Sequence, residues 1–347
     1  MSLTNAYGFM SSTSPCRPLS IERREPGPTD VFFDIAHAGI CHSDIHTARG
    51  EWGPVTYPIV VGHEIAGVVR EVGSQVTKFK PGDRVGVGCM VDSCGECGYC
   101  FDGREQFCEK TIWTYDSIDK FGNPTHGGYS QAITVDERFV FHIPDAIALD
   151  EAAPLLCAGI TTYSPLKRWV APGMKVAVVG LGGLGHVGVQ IAAAMGADVS
   201  VISQTMSKSA DGLAFGAQNY YAASEPGTFA RLRSTFDMIL CTVSTTEHFT
   251  GYIGALTPTG ALINVGMPGD PVMIQVRSLL PQRTMQGSQI GGCAETQEML
   301  NFCAEHGVRP RIEKIGADQI DEAWQNVINS KVRYRYVIDA DTFGTRG

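Results

Sequence analysis

Short apolar runs separated by glycine and proline fill the first part of the chain, and this pattern predicts β-strands. Val31–Ile35 is one such run, and Ile59–Val72 is a longer run of β-branched residues that glycines interrupt. Lys80–Val85 begins as a Lys-Pro-Gly-Asp turn and continues as a further strand. The segment up to about Asp150 is therefore predicted to form a β-rich domain punctuated by glycine.

After Asp150 the pattern changes to alternating strands and helices. Lys175–Val179 is a short apolar strand that leads into a glycine turn at Gly180–Gly185. His186–Met195 then carries Ala, Val and Ile at helical spacing, and Val199–Ser203 is a second apolar strand. The order strand, glycine turn, helix and strand predicts a βαβ unit.

The rest of the chain continues this alternation. Three more apolar runs predict further parallel strands of a doubly wound sheet, at Met238–Leu240, Ala261–Val265 and Gly287–Gly292. Two amphipathic patterns and a final apolar run predict two helices and a closing strand, at Thr296–His306, Ile320–Ser330 and Arg333–Ala340.

Composition agrees with two soluble domains and limits the possible partners. The 347 residues are 44% hydrophobic and 18% charged, which is typical of a globular protein with a large core. The net charge of −9 argues against a nucleic-acid or anionic-membrane partner. There is no apolar run long enough to span a membrane, and residues 1–15 lack the basic start and apolar block of a secretory signal. We therefore predict a cytoplasmic protein.

Eleven cysteines in a cytoplasmic chain indicate metal or redox chemistry rather than disulfides. Four of them fall in the spacing C-x2-C-x2-C-x7-C, at Cys94, Cys97, Cys100 and Cys108. Four thiolates in one loop can enclose a tetrahedral zinc ion with no open position. The bacterial ferredoxin spacing has a three-residue last gap followed by proline, which this chain lacks. We predict a structural zinc ion that fixes the lobe 94–108.

The glycine turn has the sequence G-x-G-x-x-G between a strand and a helix. Its glycines permit a tight turn and a close approach of the backbone to a pyrophosphate, which lies at the positive end of the helix. A glycine-rich loop without a ligand is the disfavoured alternative, because the flanking strand and helix match the dinucleotide motif. The predicted contacts come from Gly180, Gly182, Gly183, Leu184 and Gly185.

The end of the second strand predicts which dinucleotide binds. An acidic residue there would accept a hydrogen bond from the ribose 2′-hydroxyl of NAD(H). This chain instead has Ser203, followed by Thr205 and Lys208. Hydroxyls and a cation suit the 2′-phosphate of NADP(H), and each charge-assisted hydrogen bond contributes about 1.5–3 kcal/mol. We predict NADP(H); the alternative is that these are ordinary turn residues.

A second zinc site with an open position needs three protein ligands, and the candidates are Cys41, His63 and Cys157. Each of them alone is more often a packed core residue. Asp44 is placed to accept the second ring N–H of a ligating histidine. Glu64 follows His63 directly and is either an occasional ligand or a carboxylate that tunes the site.

The residues next to Cys41 predict a route for a proton. Ser43 lies two positions on, and His46 lies three positions beyond Ser43, so the pair can relay a proton to solvent. The alternatives are a turn hydroxyl for Ser43 and a surface residue for His46. We expect His42 to face a cofactor phosphate rather than the metal.

Taken together, these motifs resemble the zinc-dependent medium-chain alcohol dehydrogenases, and in particular their cinnamyl alcohol dehydrogenase branch. The resemblance covers essentially the whole chain. It rests on Gly39–Asp44, Gly62–Glu64, the four-cysteine lobe and Cys157–Thr161, with support from Gly50–Gly53, Thr114–Asp119, Gly287–Gly292 and Val332–Tyr336. Two departures are Gln204, within a stretch that is often all serine in this branch, and Cys241, where a carboxylate or amide is expected.

The resemblance implies an α/β protein with two domains. A GroES-like, β-rich catalytic domain is made of residues 1–153 and 294–347, and a Rossmann-type doubly wound domain occupies residues 154–293. It also implies two zinc ions per chain, with Cys41, His63 and Cys157 holding the catalytic ion, and a homodimer. Further implied contacts are Thr161, Ser288 and Ile290 to the cofactor, and Trp52 and Trp113 to the substrate.

The implied reaction is hydride transfer between NADP(H) and a small alcohol or aldehyde, with primary aromatic or medium-chain compounds as the expected substrates. Zinc would act as a Lewis acid on the substrate oxygen. Two other readings are a zinc-free type of quinone or enone reductase on the same fold, and a non-enzymatic zinc-module protein.

Overall fold

The computed structural model describes residues 2–344, which contain seventeen β-strands. In chain order they are β1 Ser2–Gly8, β2 Arg17–Arg23, β3 Asp30–Gly39, β4 Ile65–Val72, β5 Arg84–Val87, β6 Met90–Asp92, β7 Ile112–Trp113, β8 Ala132–Asp136, β9 Phe141–His142, β10 Lys175–Val179, β11 Asp198–Ser203, β12 Asn219–Ala222, β13 Phe236–Cys241, β14 Leu256–Asn264, β15 Thr284–Gly287, β16 Ile312–Ile315 and β17 Arg335–Asp339.

The same residues contain ten α-helices. They are α1 His42–Ala48, α2 Gly98–Phe101, α3 Leu149–Pro154, α4 Ile160–Trp169, α5 Gly185–Ala194, α6 Ser209–Ala214, α7 Thr228–Arg231, α8 Phe249–Ala255, α9 Cys293–Glu305 and α10 Ile320–Ile328. A π-helical turn at Leu155–Gly159 joins α3 to α4. Among these described helices, none has the length and apolar character needed to cross a bilayer.

The described chain divides into two units. The first contains the residues up to Cys157, the segment Gly291–Ala304 and the residues from Pro310 onward. The second contains Ala158–Ile290 and Glu305–Arg309. The chain therefore leaves the first unit and returns to it.

The first unit is built on a seven-stranded sheet that brings three strand ends together. Its order is β16-β17-β3-β4-β5-β9, with β8 also paired to β3. The central strand β3 is antiparallel to both β17 and β4. It ends two residues before Cys41, whereas β4 begins directly after Glu64 and β17 begins at Arg335. Three neighbouring strands thus carry these residues to one edge of the sheet.

The second unit is a six-stranded parallel sheet in the order β12-β11-β10-β13-β14-β15. Counted within the unit this order is 3-2-1-4-5-6, the arrangement of dinucleotide-binding doubly wound domains. The strands are apolar runs because helices cover both faces of such a sheet. The predicted fold class, a β-rich domain combined with a doubly wound parallel sheet, is confirmed.

One predicted strand is wrong in its bounds. The pattern at Gly287–Gly292 predicts a strand, but β15 runs over Thr284–Gly287 and residues 288–292 form a loop. Ile290 has a φ of 36°, which is incompatible with an extended strand. Of the three glycines in this segment, Gly287 therefore ends the strand, and Gly291 and Gly292 lie in the loop that follows it.

Candidate active site

Four side chains from separate parts of the first unit converge in its interior. These four residues are Cys41, His63, Glu64 and Cys157, and all of them are buried. Each offers one possible ligand atom, and the four atoms lie within 4.8 Å of one another. The two sulfurs are 3.9 Å apart, and Nε2 of His63 lies 3.3 Å from the sulfur of Cys157. Two thiols and an imidazole nitrogen are zinc-type donors, so the cluster fits a zinc ion with a place left for another ligand.

The local sequence explains how these side chains meet. Cys41 is the residue before the first turn of α1, where its backbone is extended. Gly39 packs so closely against Glu64 that a β-carbon at position 39 would lie 2.0 Å from Oε2 of the carboxylate. Cys157 is carried by the π-helical turn that follows α3. Gly39 and the π-helical turn therefore allow the side chains of Cys41, Glu64 and Cys157 to come close together.

Asp44 links two of the three ligand-bearing segments. Its fully buried carboxylate accepts hydrogen bonds from the backbone N–H of Cys41 at 2.9 Å and of Gly62 at 3.2 Å. It also lies 3.1 Å from Nδ1 of His63, on the side of the ring away from Cys157. The hydroxyl of Tyr115 lies 3.0 Å from the same nitrogen. This arrangement leaves Nε2 of His63 as the nitrogen that faces the sulfur cluster.

Arg335 is a site residue that the sequence patterns do not identify. Its guanidinium forms an ion pair with Glu64, and both groups are almost completely buried. Burial raises the pKa of the Glu64 carboxyl, and the charge of Arg335 opposes that rise. The two residues are 271 positions apart, and only the pairing of β17 with β3 brings Arg335 to the site.

The pKa values of the two thiols at the site are shifted in opposite directions. A hydrogen bond from Cys157 lowers the pKa of Cys41 well below its usual value, against the effect of burial, and the charge of Arg335 lowers it further. The pKa of Cys157 is raised because it donates to Cys41 and Cys89 and is buried. The opposite shifts show that the two sulfurs share a proton through this hydrogen bond, and a bound divalent cation would displace that proton.

The predicted relay residues lie on α1. The hydroxyl of Ser43 is 3.6 Å from the sulfur of Cys41. The ring of His46 stacks between His42 and Trp52, with centroid distances of 5.6 and 5.0 Å. Nδ1 of His46 lies 2.5 Å from the carboxylate of Glu51, a partner that the sequence patterns do not single out. The carboxylate therefore holds the imidazole through Nδ1, and the relay role of His46 stays a prediction.

The two tryptophans predicted to line the substrate pocket lie in different settings. Trp52 is 45% exposed and packs on His46. Trp113 is half-buried on β7, and its backbone N–H donates to Ser117. Their role in substrate binding stays a prediction.

The four-cysteine lobe forms a second cluster in the first unit. The sulfurs of Cys94, Cys97, Cys100 and Cys108 are separated by 3.5–3.8 Å along the cluster and lie within 4.8 Å of one another. Four sulfur donors fit a closed tetrahedral zinc site. Arg138 lies against Gly95 and pairs with Asp92 and Asp136, which ties the lobe to the sheet.

In the second unit, the glycine turn lies between β10 and α5, and each motif glycine has a different role. Gly180 has a φ of 90°, as the tight turn requires. A β-carbon at Gly185 would lie 1.8 Å from the carbonyl oxygen of Gly180, so helix and strand can pack only without it. A β-carbon at Gly182 would meet no described atom within 4 Å. This open space at the start of a helix is what a bound pyrophosphate would require, and the contact stays a prediction.

These two glycines give a matched prediction. Gly185→Ala is expected to destabilise the protein by about 1–3 kcal/mol, because the new methyl meets backbone. Gly182→Ala is expected to keep the melting temperature of the wild type but to raise the Kd for NADPH about tenfold, since the methyl fills ligand space. Thermal unfolding and fluorescence titration with NADPH measure the two effects. A Gly182→Ala protein that binds NADPH normally would contradict this assignment.

The residues predicted to select the cofactor gather near the glycine turn. Ser203 is the last residue of β11, and Thr205 begins the turn that contains Lys208. The ammonium group of Lys208 donates to the carbonyl of Leu181 at 3.0 Å, so this cation lies beside the turn. A cation and hydroxyls at this strand end form an environment that suits a phosphate.

The other predicted cofactor residues are placed as follows. Thr161 is buried in the first turn of α4. Ser288 donates its backbone N–H to the carbonyl of Asn264 at 3.0 Å, at the carboxyl end of the sheet, and Ile290 follows in the loop. Cys241 is fully buried at the end of β13, in the apolar core of this unit. Burial raises the pKa of its thiol to about 11, so it is an inert core residue.

Two protein families match this chain. The alcohol dehydrogenase GroES-like domain matches residues 27–145, and the zinc-binding dehydrogenase family matches residues 183–305. NADP-dependent alcohol dehydrogenase C 1 of Mycolicibacterium smegmatis is 59% identical over 98% of each chain.

Two solved structures are also similar. A cinnamyl alcohol dehydrogenase from Sorghum bicolor superposes with a TM-score of 0.96 at 37% identity, over 100% of both chains. The structure of CAD from Helicobacter pylori complexed with NADP(H) has a TM-score of 0.92 at 43% identity, covering 97% of this chain and 98% of that one. The fold of this chain therefore matches, over nearly its whole length, two solved structures at 37% and 43% identity.

Proposed function

Because this chain belongs to the zinc-dependent medium-chain alcohol dehydrogenases, in their cinnamyl alcohol dehydrogenase-like branch, we propose that it interconverts primary alcohols and aldehydes with NADP(H). The observation that carries this proposal is the buried convergence of Cys41, His63 and Cys157, with Asp44 holding the histidine ring. The four-cysteine lobe is proposed to hold a second, structural zinc ion. We assign the cofactor to the domain predicted at residues 154–293.

The chemistry divides between bound groups and the chain's own side chains. Zinc in the Cys41 cluster would supply Lewis acidity to the substrate oxygen, and NADP(H) would supply or accept the hydride. Asp44 keeps the proton of His63 on Nδ1, so that Nε2 is available as a ligand. Arg335 balances the charge of Glu64 beside the thiolates.

The proton of the alcohol needs a path to solvent, and we assign it to Ser43 and His46. The Ser43 hydroxyl lies next to Cys41, and His46 is partly exposed on the same helix. Glu51 fixes the proton on Nδ1 of His46, so Nε2 is the nitrogen that accepts a proton from the site. The proton on Nδ1 can then pass to the Glu51 carboxylate, which is exposed and can release it to solvent.

The preference for NADPH over NADH is predicted to depend on Lys208. Lys208→Ala is expected to lower kcat/KM for NADPH about tenfold to a hundredfold, and to leave kcat/KM for NADH nearly unchanged, because one charge-assisted contact to the 2′-phosphate is lost. Initial rates with both cofactors and one aldehyde measure this, with the exposed Lys331→Ala as control. Equal efficiency of the wild type with NADPH and NADH would refute the assignment.

We propose aromatic and medium-chain aldehydes as substrates. Trp52 and Trp113 support this class, since flat apolar rings pack well on aromatic ones. A panel of aromatic, medium-chain and short polar aldehydes, assayed with NADPH at 340 nm, tests it. The aromatic and medium-chain compounds are expected to have the highest kcat/KM; turnover restricted to quinones or enones would favour a reductase of the zinc-free type instead.

We also propose that the protein acts in the cytoplasm as a homodimer on small molecules. The chain has 36 Asp and Glu but only 27 Lys and Arg, and this excess of acidic residues argues against a nucleic-acid partner. Sedimentation of the purified protein tests the assembly, with twice the chain mass expected.

A further inference from the structure

The loop that follows β15 is held at both of its ends by hydrogen bonds. At its start, the backbone N–H of Ser288 donates to the carbonyl of Asn264 at 3.0 Å. At its end, the backbone N–H of Cys293 donates to the side-chain carboxylate of Glu105, also at 3.0 Å. Only four residues separate these two anchors, so the position of each one limits the path of the loop.

The second anchor replaces a missing helix cap. Cys293 is the first residue of α9, a helix of thirteen residues, and its first backbone N–H groups need acceptors from outside the helix. The residue before it is Gly292, which has no side chain to provide one. The carboxylate of Glu105 takes the place of that cap, and its negative charge suits the positive end of a helix.

Gly292 is itself required for this contact. A β-carbon at position 292 would lie 1.8 Å from the carbonyl oxygen of Gly103 and 2.7 Å from the carboxylate of Glu105. The first of these atoms belongs to the backbone and cannot turn away. The start of α9 and the segment 103–105 therefore fit together only with glycine at this position.

Glu105 belongs to the four-cysteine lobe and is fixed by it. Its own carbonyl accepts hydrogen bonds from the backbone N–H of Cys108 at 3.0 Å and from the hydroxyl of Thr111 at 2.6 Å. The short turn Glu105–Phe107 ends at Cys108, which is one of the four clustered thiols. The path from the lobe to the loop is thus Cys108, Glu105, Cys293 and then residues 288–292.

We propose that Glu105 is a positioning residue through which the four-cysteine lobe sets the cofactor loop 288–292 and so supports the binding of NADP(H). The proposal rests on the proposed function, because it takes Ser288 and Ile290 to contact the cofactor. It gives the lobe a role beyond local stability. A lobe that loses its order releases one end of the loop, and the affinity for NADP(H) falls.

The test compares Glu105→Ala and Glu105→Gln with the wild type. The alanine variant is expected to raise the Kd for NADPH about tenfold in fluorescence titration, and to raise KM for NADPH with little change in kcat. The glutamine variant is expected to retain most of the affinity, since its amide oxygen still accepts from Cys293. Glu109→Ala removes an exposed carboxylate directly after the lobe and is the control.

Hydrogen exchange separates this inference from the function on which it rests. Peptides that cover residues 288–296 are expected to exchange faster in Glu105→Ala whether or not NADPH binds. If the wild type binds no NADPH but exchange is still faster in Glu105→Ala, the cofactor assignment is wrong and the hydrogen bond between Glu105 and Cys293 is supported. Unchanged exchange in a folded Glu105→Ala protein, or an unchanged Kd for NADPH, overturns the inference.

Gly292→Ala provides a second route in case Glu105→Ala does not fold. It keeps the carboxylate but forces the start of α9 away from Gly103, so the same rise in Kd and in exchange is expected. Gly98→Ala is the matched control in the lobe, because a β-carbon there meets no described atom within 4 Å. Normal NADPH affinity in Gly292→Ala would count against the proposal.

Discussion

Replacing Cys157 with alanine is expected to lower kcat/KM by at least about a thousandfold, because Lewis-acid stabilisation contributes several kcal/mol. The variant loses one of the two sulfurs that lie 3.9 Å apart at the site. Loss of one thiolate from this ligand set is expected to weaken zinc binding, so the zinc content is expected to fall from about two per chain to one. Steady-state rates and metal analysis on the same sample measure both effects.

The control for this experiment is Cys303→Ala. Cys303 is also fully buried in the first unit, but it packs against Met299 in α9 rather than against a ligand set. It is expected to keep two zinc ions and nearly full activity. A Cys157→Ala protein with wild-type kcat/KM would show that Cys157 is not a ligand of a catalytic metal.

Arg335→Met is expected to destabilise the protein by about 3–5 kcal/mol, the usual cost of leaving one member of a buried ion pair alone. Glu64 is fully buried, and Arg335 is the cation that faces it. Without that cation, the carboxylate must remain charged in a buried place or take up a proton beside the thiols. Unfolding in urea, followed by circular dichroism, measures the loss.

A double variant makes this test specific. Glu64→Met with Arg335→Met removes both charges, and it is expected to recover much of the stability that Arg335→Met loses. If the double variant is as unstable as the single one, lost packing explains the effect instead. A loss below about 1 kcal/mol in Arg335→Met would contradict a buried ion pair of this kind.

Local patterns predict most of the fold because they act within short segments. The apolar runs at Lys175–Val179 and Val199–Ser203, with glycines between them, determine a βαβ unit without help from the rest of the chain. The four-cysteine lobe is similarly local. The loop at 288–292 is mistaken for a strand because glycines and an apolar residue look alike in a strand end and in a turn.

The partners that organise the site are harder to predict, because they come from distant segments. Arg335 reaches Glu64 only through the register of β17 against β3, and no pattern near position 335 encodes that register. Glu105 accepts a hydrogen bond from Cys293, which is 188 positions away in the sequence. This contact requires glycine at position 292, where a side chain would clash with Gly103. Glu51 lies only five positions from His46, but its spacing is not a helical one and gives no signal.

One measurement tests the central claim most directly. The protein is treated with a chelator until the zinc ion that we propose to bind at Cys41, His63 and Cys157 is removed. The oxidation of NADPH by an aromatic aldehyde is then followed at 340 nm as zinc is returned. We expect no turnover in the metal-free protein and recovery of the rate in proportion to the zinc restored. A rate that is the same before chelation, after chelation and after the return of zinc would contradict a zinc-dependent alcohol dehydrogenase.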